Sequence, residues 1–256
     1  MSNGKPTMVK SASRTLDIIE FIVKSPKPPT FTGIQEYLDI PKSSLSYLLQ
    51  DLTNRDYIQF DPDMRVYYPG LKLIQLSASC MNNTNISREI WQGTKNLSNE
   101  LGETAHAAIL EGRFAVYIAK CEGVKDLSVV TTIGFRIPAH ATAVGKMLLS
   151  SLSEEELKSR LGNVELERYT EKTVVTYEKL VEELQEITKQ GYAIDNQEII
   201  PGGICVAAPI YDKTHKMIAA MSVTIPVMRV TDEFMNEVRN KVRLAAVNVS
   251  MRLGKL

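Results

Sequence analysis

The chain has 256 residues, 44% hydrophobic and 23% charged, and its thirty basic and thirty acidic side chains cancel. This composition suits an ordinary globular protein with room for two modest cores. It excludes a global electrostatic attraction to nucleic acid, so any DNA reading must rest on local geometry.

No apolar run approaches the roughly eighteen residues of a membrane span, and the opening "MSNGKPTMVKSASR" has no apolar centre of the signal-peptide kind. A cytoplasmic protein without a membrane partner is expected. Cys80, Cys121 and Cys205 are odd in number and widely spaced, which fits neither a disulfide framework nor a tetrahedral metal site; reduced thiols, no metal and no cofactor are expected.

In chain order, Ser11 is placed to cap a first helix whose Ala12, Leu16, Ile19 and Val23 follow helical spacing until "SPKPP" stops it. A second helix is predicted over 32–38, followed by the turn "DIP" and then by "KSSLSYLLQDLTN". "DYIQF" and "RVYY", separated by "DPDM", read as a hairpin with a tight polar turn. Three helices and a hairpin describe a winged helix-turn-helix domain over 1–70. A connector helix over 71–86 follows, then a second domain over 87–256.

That second domain opens with strand-like runs, "TAHAAILEG", "FAVYIAKCEG" and "LSVVTTIG". Helical segments come next, including "SEEELKSRLG" with a Ser153–Glu156 capping box. "YAIDNQEII", "ICVAAPIYD" and "KMIAAMSVTI" return to strand character before a long helix from Thr231. The alternation predicts an α+β domain around an antiparallel sheet.

In the third helix Leu45, Leu48, Leu49 and Leu52 fall within about 100° of arc, an apolar stripe that must pack inward. Ser43, Tyr47 and Gln50 lie on the opposite side, with Ser44 and Ser46 on its flanks. Short hydrogen-bonding side chains on the first turns of a helix can meet base edges in a major groove, and Tyr can contact a phosphate or a thymine methyl. Alone, such a face would be read as solvated; between a turn and a hairpin it reads as a recognition helix. Lys42, Arg14 and the wing residue Arg65 are the candidate phosphate contacts. Residues 1–80 hold nine basic and eight acidic side chains, a net of only +1. A dimer that doubles a weak site is therefore expected.

"IPKSSLSYLLQDLTNRDYI" with "YYPGLKLIQL" resembles the winged helix of the IclR family of bacterial transcription regulators. "IPAHATAVGKMLLSSL" and "GYAIDNQEIIPGGICVAAPIYDKTHKMIAAMSVTIP" resemble the two signatures of its effector domain. The resemblance covers nearly the whole chain in order. It implies an N-terminal domain for double-stranded operator DNA, a connector helix used in dimerisation, and a GAF-like C-terminal domain for a small organic acid, in a homodimer or homotetramer. A repressor of a catabolic operon is the implied role. Family members often carry His-Arg where this chain has Ser46 and Tyr47, so the base contacts do not carry across.

The first turn of a helix starting near Thr142 leaves N–H groups free for an anion, and Ala139, Ala141, Ala143 and Gly145 leave room around it. Tight packing on a sheet would explain those small residues as well. Ser222 and Thr224, two apart on a strand, face one side. The resemblance implies that Ala143 and Val144 offer N–H groups to an effector carboxylate. It also implies that Asp195, Cys205, Ser222 and Thr224 contact the rest of a 2-oxo or hydroxy acid.

A reading from another class is a small-acid-processing enzyme with a winged-helix appendage, for which Cys205 and His140 are the thiol and imidazole to test. Asp195, Cys205 and His140 could alternatively converge on a metal. A third reading uses the winged helix to bind protein.

Overall fold

A computed structural model describes residues 9–83, 85–124 and 131–255, and the chain divides into two compact units at residues 83 and 84. In the first unit α1 (Lys10–Lys24), α2 (Phe31–Leu38) and α3 (Lys42–Asn54) precede the hairpin β1 (Ile58–Asp61) and β2 (Val66–Pro69). Their core joins Ile18 and Ile22 of α1, Ile34 of α2, Leu45, Leu49 and Leu52 of α3, and Ile58 of β1.

Two sequence expectations for this unit are corrected. Ser11 does not cap α1: the cap position falls two residues earlier, at Val9, and the Ser11 carbonyl accepts a 2.9 Å bond from Thr15 Oγ1. The buried stripe of α1 is Ile18 and Ile22, while Leu16 and Val23 are 60% and 54% exposed. Apolar residues surround this helix, so spacing alone did not select which face turns inward; the Ile pair that meets Ile34 and Leu45 did. The true cap is on α2, where Thr30 accepts the Gly33 N–H at 3.1 Å. The wing turns as expected, with Asp61 Oδ1 accepting the N–H groups of Asp63 and Met64 at 2.9 Å each and Arg65 entering the left-handed region at φ 56°.

The connector expected over 71–86 falls on α4 (Leu71–Asn83) and on the start of α5 (Asn85–Leu101).

The second unit is built on a six-stranded antiparallel sheet of β3 (Thr104–Glu111), β4 (Phe114–Cys121), β5 (Arg136–Pro138), β6 (Ala193–Asn196), β7 (Gly203–Tyr211) and β8 (Met217–Pro226), in the order β5-β4-β3-β8-β7-β6. One face packs on α5 and the closing helix α9 (Asp232–Arg252) through Leu97, Val206, Met221, Val223, Val238 and Val242. Period-two alternation then turns the intervening residues to the other face, which α6 (Ala143–Leu149), α7 (Glu154–Leu161) and α8 (Tyr177–Gln190) cover.

Alanines 108, 115, 207 and 220 keep that face shallow, so α6 lies close to the sheet. A Cβ on Gly145 would stand 2.3 Å from the Ala139 backbone, so any other residue would push α6 off the preceding 3-10 turn. The Ser153–Glu156 capping box forms reciprocally at 3.3 and 3.1 Å.

Two strand expectations are adjusted. "YAIDNQEII" ends as strand at Asn196, because Gln197 takes a positive φ of 65° and the chain turns into a loop. In "LSVVTTIG", residues 127–130 lie outside the described residues, and the remainder forms a turn.

Candidate functional site

In the first unit α3 presents Lys42, Ser43, Ser46, Tyr47 and Gln50 to solvent, with Tyr47 74% exposed, while Ser44 is half-buried. Leu48 is only partly buried, so the helix is anchored chiefly by Leu45 and Leu49. Asp51, an anion on the flank of this face, is held by Arg55, whose Nε lies 3.0 Å from its carboxylate. Arg65 is exposed at the tip of the wing. Arg14 differs: it is half-buried and lines a shallow cleft together with Glu36 and Asp39.

In the second unit Ala143, Val144, Asp195, Cys205, Ser222 and Thr224 all line one cavity of about 660 Å³. Strand register explains how residues so distant in sequence meet. Asp195 pairs with Cys205 and Cys205 with Thr224, which forms one row across three strands; Ser222 pairs with His106 in the next row. The floor of the cavity is therefore polar. Cys205 Sγ lies 3.3 Å from Thr224 Oγ1, and His106 Nε2 lies 2.8 Å from Thr131 Oγ1.

The start of α6 forms part of the wall. Thr142 caps it, accepting the Gly145 N–H at 3.2 Å, and the N–H groups of Ala143 and Val144 precede the first intrahelical acceptor, as at any helix start.

Asp195 is 1% exposed. One oxygen accepts the Glu198 N–H at 2.7 Å, whereas Oδ2 has no hydrogen-bond partner. Burial, reinforced by the nearby Glu198 carboxylate, raises its pKa from 3.8 to about 7. Behind it Lys146, with a fully buried ammonium, donates to Glu198 at 2.6 Å and to Glu183 at 2.5 Å. The Glu198 residue thus holds Asp195 through its backbone and Lys146 through its carboxylate. His106 is held neutral near pH 7, because burial first and Lys120 second depress its pKa to about 4.

Lys146, Glu198, His106, Tyr117 and Thr131 escaped the reading of the sequence. Lys146 carried the one available signal, a cation inside the apolar run "AVGKMLL".

The structure does not assemble a Cys205–His140 pair. His140 lies outside the cavity, its Nε2 3.0 Å from the Glu167 carbonyl oxygen in a separate small cleft. Burial and the adjacent Asp195 charge raise the Cys205 pKa, the opposite of what a thiolate nucleophile requires. Cys121 is also a free thiol, and the Cys80 side chain lies outside the described residues. Among the described residues no three His, Cys, Asp or Glu side chains are grouped to hold a metal ion, and no helix is long and apolar enough to cross a membrane.

A winged helix with an exposed, hydrogen-bonding third helix, on one chain with a cavity-bearing α+β unit, defines a helix-turn-helix transcriptional regulator. The family model described as IclR helix-turn-helix domain matches residues 11–62, and that described as bacterial transcriptional regulator IclR C-terminal matches residues 78–251. The chain belongs to the IclR family of bacterial transcriptional regulators.

It is 32% identical over 247 residues to the HTH-type transcriptional regulator XynR of Escherichia coli (strain K12), covering 96% of this chain and 98% of that protein. It is 30% identical over 254 residues to the HTH-type transcriptional repressor AllR of the same organism, covering 98% and 94%. The Thermotoga maritima IclR crystal structure superposes with a TM-score of 0.74 at 30% identity, covering 96% of this chain and 99% of that one. These relatives are named as regulators, not enzymes.

Proposed function

We propose that this regulator represses a catabolic operon, binding double-stranded operator DNA as a homodimer or homotetramer in the cytoplasm and responding to a small organic acid of the 2-oxo or hydroxy type. Ser43, Ser44, Ser46, Tyr47 and Gln50 read the groove, and Lys42 and Arg65 contact phosphate. Arg14 contributes least, because Glu36 and Asp39 share its cleft. The proposed domains are 1–70 and 87–256 with the connector 71–86 between them. The name of the AllR relative supports the sign of regulation.

The observation that carries the effector reading is the gathering of Ala143, Val144, Asp195, Cys205, Ser222 and Thr224 around one cavity. The acid places its carboxylate against the N–H groups of Ala143 and Val144, and its other oxygens meet Cys205, Ser222 and Thr224. Asp195, largely able to take up a proton near neutral pH, then faces the anion without full repulsion, or accepts a ligand hydroxyl at Oδ2. Such a ligand changes DNA affinity only by its differential affinity for the two arrangements of the protein, typically about 1–3 kcal/mol of coupling.

The test is operator binding by gel shift, with and without ligand, for the wild type and the Asp195→Ala, Ser222→Val double variant. The variant is expected to bind DNA as the wild type does and to lose the ligand response. Undiminished ligand binding by calorimetry in that variant would place the effector elsewhere.

A further inference from the structure

The cavity is larger than a minimal oxo acid needs, and its surplus is not polar. At the roughly 30 Å³ that a liquid water occupies, a three-carbon 2-oxo acid of six heavy atoms takes about 180 Å³. The cavity holds about 660 Å³. The polar floor of Asp195, Cys205, Ser222 and Thr224 lies on β6, β7 and β8, whereas Phe135, Ile199, Ile200 and Val227 from the connecting segments, with Ile137 of β5 and Pro226 at the end of β8, give an apolar wall. A two- or three-carbon acid seated on the floor would leave most of the volume to water lying against those apolar side chains, which gain by being covered.

The charges narrow the choice further. Arg136 is the one permanently cationic side chain among the described lining residues. Its Nε lies 3.4 Å from Glu111, and its guanidinium lies 4.8 Å from the centre of the Phe114 ring. Lys146 does not line the cavity and is committed to Glu183 and Glu198. His106 is uncharged near pH 7, since burial depresses its pKa to about 4. Among the described lining residues a second carboxylate or a phosphate on the ligand would find no cation but Arg136, already beside Glu111, and a chain of hydroxyls would find Thr131 and Tyr169 but little else polar along the apolar wall.

We infer that the effector is a monocarboxylic acid whose polar head carries an extended apolar body, aromatic or of comparable bulk, and that this body lies between the 135–138 segment and the 199–203 and 226–227 segments. This refinement rests on the effector reading above and narrows it to one class of acid. The head is read by Asp195, Cys205, Ser222 and Thr224; the 135–138, 199–203 and 226–227 segments select the body.

The test is calorimetric titration of the full-length protein with pyruvate, phenylpyruvate and gluconate. Pyruvate and phenylpyruvate share a 2-oxo acid head and differ in the phenyl group, and gluconate offers a polar body. Phenylpyruvate is expected to bind at least tenfold tighter than either of the others. In the Phe135→Ser, Val227→Ser double variant, whose two residues are 45% and 38% exposed in the wild type and so tolerate the change, this advantage should fall below threefold. Pyruvate binding as tightly as phenylpyruvate, or gluconate matching it, would overturn the apolar-body inference and leave the effector cavity standing. Failure of all three acids to bind would remove both.

Discussion

The two units carry function on opposite kinds of residue. In the winged helix the side chains assigned to DNA, Ser43, Tyr47, Gln50 and Arg65 among them, are exposed and contribute nothing to the core of Ile18, Ile34, Leu45 and Leu49. In the second unit the polar residues of the cavity are buried in the fold itself: Asp195, Ser222 and His106 are each less than 5% exposed, and Lys146 is not exposed at all. A surface site can be altered at little cost to folding, whereas a change in a buried polar site alters stability, in one direction or the other, along with recognition, because its groups are desolvated in the fold. Recognition and stability are thus separable in the first unit and entangled in the second.

The largest expected effect tests that entanglement at its centre. Lys146→Met leaves Glu198, 7% exposed at its side chain, and Glu183 without their shared cation. Removing one partner of a buried pair costs about 3–5 kcal/mol. Amide exchange should show protection lost in β6, α6 and α8 while α1 to α3 keep theirs. Full protection of the second unit would mean that the ion pairs are dispensable and the contrast between the units overstated.

A smaller effect, dependent on pH, concerns Asp195. Because burial raises its pKa from 3.8 to about 7, the folded state holds a proton that the unfolded chain has released. The stability this gives is complete below about pH 4 and is lost as pH rises through 7. Asp195→Asn cannot ionise, so its stability relative to wild type should be similar near pH 4 and higher by roughly 4 kcal/mol at pH 9, read from urea midpoints. His106 shifts the opposite way, but it is common to both proteins and cancels in the difference. A gap that stays constant with pH would show that Asp195 is not the titrating group.

The smallest stability effect belongs to the first unit. Tyr47→Ala with Gln50→Ala should leave stability within about 0.5 kcal/mol of wild type. Each lost base contact should cost roughly 1–3 kcal/mol of discrimination between operator and scrambled DNA. Unchanged discrimination would take α3 out of base reading. A large loss of stability would erase the contrast with the second unit.

How much of this could be read in the sequence follows from how local each feature is. The three helices, the polar hairpin turn and the Ser153–Glu156 box are set by neighbours within a few residues, and the antiparallel α+β class followed from alternation. The two-residue spacing of Ser222 and Thr224 placed both on one face. The phase of α1 was not legible, because Leu16 and Ile18 are equally apolar and only contact with α2 and α3 separates them. Leu48 belongs to the spaced stripe of α3 yet stays half exposed at its edge, so core truncations should be made at Leu45 or Leu49. Least legible was the network behind the cavity. Lys146 finds its carboxylates 37 and 52 residues onward, and His106 finds Thr131 25 residues away, separations at which a sequence shows composition but no partner.

The alternation along β8 also limits how such a protein can change over generations. Met221, Val223 and Ile225 belong to the core against α5 and α9, while Ser222 and Thr224, interleaved with them, line the cavity. Insertion or deletion of one residue inside this strand would exchange the two sets, burying hydroxyls in the core and turning Val and Ile toward the ligand. New ligand preferences are therefore open to two routes: substitution at positions 205, 222 and 224, and change in length of the segments around 135, 200 and 227. The strands themselves must keep their count. A functional relative with a single-residue insertion within β8 and no compensating bulge would contradict that constraint.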